Sequence, residues 1–112
     1  MVDVSIYKNA ENLVTGIKLS GHAGFSEHGS DIVCAAVSAL VINAINSIEQ
    51  FTSDQFTIEQ DEKTGLIEFH VTSELSNNAN LLLSSLVLGL HGVEEEYGKK
   101  YIRLRQVKSQ QL

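Results

Sequence analysis

Cys34 is the only cysteine in this 112-residue sequence, and it stands three residues after Asp31. Ser30 and Asp31 are residue types that often cap helices, so the sequence predicts a helix that starts there and places Cys34 in its first turn. Unpaired backbone N–H groups and the positive end of the helix dipole lie in a first turn, and both favour a thiolate over a thiol. We therefore expect a lowered thiol pKa and a nucleophile at Cys34.

His22 opens the segment that leads to this helix. The segment contains three glycines and little periodicity, which predicts a mobile loop over about residues 21–31. Such a loop can bring an imidazole beside the sulfur, and a thiol with an imidazole is the minimum set for thiol catalysis. His28 is a rival base because it is nearer to Cys34 in sequence.

Less specific interpretations compete with catalysis. A lone cysteine in an alanine-rich helix is more often a small buried hydrophobe. A single thiol cannot form an internal disulfide, a four-cysteine zinc site or a CxxC pair, and it leaves a redox sensor without a resolving cysteine. No pair of the four histidines has HExxH-type spacing, so we expect neither a metal nor another cofactor.

The remaining pattern predicts the elements that must position these residues. Val2, Val4 and Ile6 begin a first hairpin that ends near Leu19, and a second hairpin surrounds a turn over residues 61–65. The Cys34 helix extends to about Gln50, a second helix begins near residues 76–78, and a short strand follows it. The order is ββαββαβ. It predicts one α+β domain over residues 1–112, with two helices packed on a mixed or antiparallel sheet.

The second helix carries an apolar stripe at helical spacing: Ala79, Leu83, Leu86, Leu90, Val93 and Tyr97. The first helix is apolar on most of its faces, so it needs cover from the sheet on one side and from a second helix or a second subunit on another. Gly89 and Gly92 of the second helix predict a close approach by another backbone.

The charge is unevenly distributed. The net charge is −6, but residues 1–97 hold fourteen acidic and three basic residues, whereas residues 98–112 hold five basic ones. An acidic protein of this kind is a poor partner for nucleic acid. No secretion signal is visible, and the apolar run from Ile32 to Ile48 is too interrupted to span a membrane. Together with the single thiol, these features indicate a cytoplasmic protein without a membrane partner.

Two sequence segments resemble a known family. Ser20-Gly21-His22-Ala23 and the segment from Gly29 to Leu40, which reads GSDIVCAAVSAL, occur at the spacing found in the ribosomal-processing cysteine protease family, Prp. The resemblance extends along the chain to the Glu94–Tyr97 end of the second helix. It implies a small cytoplasmic endopeptidase of α+β fold, usually a homodimer. Members of this family remove an N-terminal extension from the precursor of large-subunit ribosomal protein twenty-seven.

The resemblance places the nucleophile at Cys34 and the general base at His22, and it matches Gly21, Asp31 and Ser38 to the remaining pocket positions. Asp31 could cap the helix, orient His22, or do both. Ser38 could donate to the substrate or to the carbonyl of Cys34, and Gly21 could allow a turn or a close approach to substrate. The alternative function is a non-enzymatic, ribosome-associated dimer that binds a basic ribosomal protein with its acidic surface.

Overall fold

Alternating apolar residues build the first hairpin, as predicted. In the computed structural model, which describes residues 1–21 and 28–108, strand β1 (Val2–Lys8) pairs antiparallel with β2 (Val14–Ser20). The side-chain oxygen of Asn9 accepts hydrogen bonds from the backbone N–H groups of Glu11 and Leu13. This Asn therefore satisfies the backbone of the turn, a common use of its short polar side chain.

The other described strands complete one mixed sheet. Strands β3 (Phe56–Asp61) and β4 (Leu66–Val71) form the second predicted hairpin, and β5 (Ile102–Lys108) is the predicted last strand. The strand order is β3-β4-β2-β1-β5, with β1 and β5 parallel and the other neighbours antiparallel. Gly65 supplies the positive φ that its turn requires.

Helices α1 (His28–Phe51) and α2 (Asn77–Tyr97) pack on one face of this sheet, which confirms the α+β class and the ββαββαβ order. The core between the helices and the sheet is aliphatic apart from Phe69. A Cβ atom at Gly89 of α2 would lie 3.2 Å from the side chain of Leu40 of α1, so the close neighbour there is a side chain and not the predicted backbone. Gly92 has open space around it, and the same prediction for that residue is wrong.

The first helix begins earlier than predicted. Its first residue is His28, three residues before Asp31, so Cys34 is the seventh helical residue and lies beyond the first turn. Of the predicted loop over about residues 21–31, residues 28–31 are helical and residues 22–27, including His22, lie outside the described residues. Ser and Asp are frequent cap residues but are also tolerated within a first turn, and here the helix continues upstream of them.

The pairing registers show which ends of these elements lie together. Ser20 at the end of β2 pairs with Asp3, and its neighbour Leu19 pairs with Ile67 near the start of β4. We call this end of the strands the thiol end of the sheet, because the chain leaves β2 here and continues to the helix that contains Cys34. The turn between β3 and β4 lies at the same end, since Asp61 pairs with Leu66.

By length and composition, residues 31–51 of α1 could span a membrane, so the prediction that this run falls short is wrong by that criterion. The core helix of a soluble protein passes the same test. One side of α1 is buried in the core through Val33, Val37 and Val41, whereas Asn43 and Asn46 are exposed on another side. Its packing is therefore that of a core helix, as the sequence also predicted.

Candidate active site

Cys34 lies at the border between the core and the surface of α1. Its neighbour Val33 is fully buried, whereas the thiol side chain is half-buried and packs against the edge of the core. Asp31 and Ser38 share its helix face, as the spacings of three and four residues predict, and both act on the thiol electrostatically. These three predicted site residues are therefore brought together by one helix.

The environment of Cys34 favours the neutral thiol. Burial raises the pKa of the Cys34 thiol, a hydrogen bond with Ser38 lowers it, and the negative charge of Asp31 raises it again, which leaves the pKa above its ordinary value. The predicted lowering is wrong for this arrangement. The reason is that Cys34 lies beyond the first turn of the helix, while burial and a carboxylate favour the protonated form.

A protonated thiol changes what the rest of the site must supply. Thiolate is the nucleophilic form, so a neighbouring base has to accept the Sγ proton before or during attack. The N–H groups that lack intrahelical partners belong to the start of a helix, and Cys34, the seventh residue of α1, lies beyond them.

Gly21 directly follows β2 and has a backbone conformation that residues with side chains rarely adopt. Its φ is +77°, and a Cβ atom built on it would lie 2.8 Å from the carbonyl oxygen of Met1. Both facts support the interpretation that Gly21 lets the backbone turn. Its predicted close approach to substrate stays a prediction.

The structure gives the position of Asp31 in α1 and a hydrogen-bond partner of Ser38. Asp31 is the fourth residue of α1 and is exposed, so it lies in the first turn and is not the predicted cap. Ser38 hydrogen-bonds with the Cys34 side chain, and its predicted donation to the substrate or to the Cys34 carbonyl stays a prediction. Ser38 is therefore placed to hold the sulfur in one position.

The other histidines differ in their relation to Cys34. His28 is the first residue of α1 and precedes Cys34 by six residues. His70 is half-exposed on the polar face of β4, with Nε2 2.8 Å from a carboxylate oxygen of Glu68. His91 is exposed on α2, and the predicted surface positions of His70 and His91 are thus confirmed.

A cavity close to this helix face was missed by the sequence analysis. It has a volume of about 280 Å³ and lies between Ile42 of α1 and the turn that joins β3 to β4. Ile42 is 41% exposed, although an isoleucine in an apolar helix reads as a core residue. Only the packing of α1 on the sheet, which brings Ile42 beside residues 60–67, could have revealed the cavity.

Comparison with known proteins defines the class. The model of the family described as cysteine protease Prp matches residues 1–103, nearly the whole described structure. The protein is therefore a cysteine protease, in agreement with a partly accessible thiol on a helix that packs against a mixed sheet. The chain belongs to the Prp family, which confirms the family resemblance of its two sequence segments.

The sequences of individual relatives align with this chain over most of their length. The chain is 40% identical over 106 residues to the ribosomal processing cysteine protease Prp of Staphylococcus aureus, covering 93% of this chain and 97% of the relative. It is 28% identical over 101 residues to the Bacillus subtilis protein of the same name, covering 87% and 90%.

Solved structures share the fold. The crystal structure of an essential ribosomal processing protease Prp from S. aureus with a substrate peptide matches with a TM-score of 0.89 and 34% identity, covering 96% of this chain and all of that one. SMU.848 from Streptococcus mutans matches with a TM-score of 0.84 and 26% identity, covering 97% and 96%.

Proposed function

We propose that this protein is a cytoplasmic endopeptidase that removes the N-terminal extension of large-subunit ribosomal protein twenty-seven, with Cys34 as nucleophile and His22 as general base. The names of its relatives support a ribosomal substrate, since the S. aureus and B. subtilis proteins are ribosomal processing proteases. The charge of the chain also suits such a substrate. Ribosomal proteins are basic, and an acidic surface speeds their encounter.

The proposed reaction begins with proton transfer. His22 accepts the Sγ proton of Cys34, and the sulfur attacks the scissile carbonyl carbon to form a tetrahedral oxyanion. The imidazolium then gives its proton to the departing amine as the carbon–nitrogen bond breaks, which leaves a thioester. His22 next removes a proton from water as its oxygen attacks the thioester. The carbon–sulfur bond then breaks, the carboxyl product is released, and the imidazolium returns its proton to Sγ.

One observation carries this proposal: the Cys34 thiol is half-buried, hydrogen-bonded with Ser38 and carried by a helix whose preceding segment contains His22. A thiol with a raised pKa needs a base, and the topology supports His22 in that role. Gly21 lies at the thiol end of the sheet, so its neighbour His22 begins the segment that connects this end to α1.

The test is cleavage of a tagged precursor of ribosomal protein twenty-seven. We expect the wild-type protein to release a single N-terminal fragment, with the cut located by mass spectrometry, and Cys34→Ala to release none. Ser84→Ala, which changes an exposed residue of α2, is the matched control and should cleave at the wild-type rate. Intact precursor after long incubation with the wild-type protein would overturn the proposal.

The alternative is a non-enzymatic dimer that holds a basic ribosomal protein. The excess of acidic residues suits such binding as well as it suits a protease, but the family of this chain is a family of cysteine proteases. Under this alternative, Cys34→Ala binds the precursor as tightly as the wild type and no fragment appears with either protein. Fragment formation that depends on Cys34 excludes it.

We also propose a homodimer. Leu81 and Leu88 of α2 are seven residues apart, so they lie on one helix face, and they are 68% and 75% exposed. A second copy of the chain would bury this apolar face in a symmetric contact. Sedimentation equilibrium should give a dimer for the wild type and a monomer for Leu88→Asp, and a wild-type monomer at micromolar concentration would contradict the proposal.

A further inference from the structure

The cavity beside Ile42 is shaped by two elements that meet at the thiol end of the sheet. Leu66 and Ile67 begin β4 and line it together with Ile42, so its lining is largely apolar. Asp61 and Glu62, at the end of β3 and in the following turn, stand at its rim. At about 280 Å³ it is just below the usual range of ligand pockets, about 300–1,000 Å³, and suits a side chain rather than a whole small molecule.

The cavity continues the helix face that carries Cys34. Cys34, Ser38 and Ile42 follow one another at intervals of four residues and form one ridge of α1. Leu40 contacts α2 on the other flank of the helix, whereas Ile42 at the end of this ridge lies beside the β3–β4 hairpin. Eight residues at 1.5 Å each separate Ile42 from Cys34 by about 12 Å along the helix.

That separation sets the position of a bound peptide. An extended chain advances about 3.3 Å per residue, so about 12 Å corresponds to three or four residues from the scissile bond. The rim adds charge complementarity. Glu59, Asp61 and Glu62 are exposed around one lysine, Lys63, so the excess of negative charge favours a basic segment.

We propose that this cavity is a specificity pocket, which binds an apolar side chain of the substrate three or four residues from the cleaved bond while a neighbouring lysine or arginine pairs with Asp61 and Glu62. The inference rests on the proposed function for the identity of the substrate. It adds which residues of the substrate are recognised and which surface of the enzyme recognises them.

The test of the apolar floor is a binding measurement. Cys34→Ala serves as the parent, because under the proposed function it binds the precursor without cleaving it, and binding of a fluorescent peptide that spans the cleavage site is followed by anisotropy. Adding Ile42→Ala should weaken binding about tenfold, the loss that corresponds to about two buried methylene groups. Phe51→Ala is the matched control, since it removes an exposed apolar side chain from the far end of the same helix.

The test of the rim is a charge reversal. Glu62→Lys in the same parent should weaken binding about threefold to tenfold at low salt, and the difference should shrink at high salt. Glu11→Lys changes the net charge equally in the turn between β1 and β2, at the opposite end of the sheet, and should have less than a twofold effect. Equal effects of the two reversals would show that only the total charge matters and would overturn the pairing with Asp61 and Glu62.

A peptide series locates the contact. Alanine is placed in turn at each position up to six residues from the cut, and the loss of affinity is compared in the parent and in its Ile42→Ala form. At a position three or four residues from the cut, the loss should disappear in Ile42→Ala, because the pocket is then already incomplete. Additive losses at every position would overturn the proposal.

Failure of this proposal is distinguishable from failure of the proposed function. If the wild type cleaves the precursor but the binding losses are additive, the proposed endopeptidase activity stands and the specificity pocket is overturned. If binding depends on Ile42 but the wild type does not cleave the precursor, the proposed endopeptidase activity is overturned and the pocket stands as a binding site. Absence of binding to the precursor overturns the pocket whether or not cleavage occurs.

Discussion

The chain contains two ββα units with the same order of elements but different connections into their helices. In the second unit, the hydroxyl oxygen of Ser76 caps α2 by accepting a hydrogen bond from the N–H of Ala79, and the Ser76 N–H donates to Asp54. In the first unit, residues 22–27 connect Gly21 to α1 and include His22. The first unit also carries Cys34.

The two units also differ in the direction of the pKa shift of a titratable group beside each helix. Burial acts to raise the pKa of Asp54, but hydrogen bonds from the side chain and backbone of Ser76 outweigh it and lower the pKa. At Cys34 burial prevails and the pKa is raised. The second unit stabilises the charged form of Asp54, whereas the first favours the neutral form of Cys34. Under the proposed function, the second unit is the scaffold and the first is the catalytic unit.

His22→Ala is the substitution with the largest expected effect on the proposed catalytic role of the first unit. We expect cleavage to fall by about a thousandfold or more, because the neutral thiol loses its proton acceptor, while the midpoint of thermal unfolding stays near that of the wild type. Steady-state cleavage and a thermal melt measure the two effects. His28→Ala is the control for the rival base, and loss of activity there with full activity in His22→Ala would reverse the assignment.

Gly21→Ala tests the connection at the end of β2. A side chain at φ +77° that also meets the Met1 carbonyl should destabilise the fold by about 1–3 kcal/mol, measured by urea unfolding. Gly92→Ala is the matched comparison. It lies inside α2 with open space around it, so the same substitution should stabilise the protein by up to about 1 kcal/mol. Equal effects at the two glycines would contradict a special role for Gly21.

Ser76→Ala tests the scaffold unit. Loss of the cap should cost about 1 kcal/mol of the free energy of unfolding, because the Ala79 N–H loses its acceptor. The reactivity of Cys34 with iodoacetamide should stay within twofold of the wild type, since the cap belongs to the other unit. A tenfold change in that reactivity would show that the two units are coupled.

The smallest expected effects concern the Cys34 thiol itself. Labelling by iodoacetamide should rise with pH to a midpoint above that of an ordinary cysteine. Asp31→Asn should move this midpoint down, because the carboxylate disfavours the thiolate, and Ser38→Ala should move it up, because the hydrogen bond favours it. Shifts in the same direction for both variants would contradict the described environment of the thiol.

The hairpins and the second helix were predictable from the sequence because their signals are local. Alternation in Val2, Val4 and Ile6, and helical spacing from Ala79 to Leu90, describe buried faces of single elements. The start of α1 was less predictable, since Ser30 and Asp31 suit both a cap and a first turn. The direction of the Cys34 pKa shift depends on burial by distant residues, which no spacing expresses.

The parallel pairing of β1 with β5 has a consequence for folding. Val2 pairs with Ile102 and Asp3 with Arg103, and the carboxylate of Asp3 also accepts a hydrogen bond from Arg103, so these contacts close a loop of about a hundred residues. Contacts this far apart in sequence form late, because the entropy of loop closure opposes them until the rest of the chain is ordered. During synthesis, β1 can pair with β2 early but waits for its other neighbour, so the complete sheet forms only after β5 has left the ribosome.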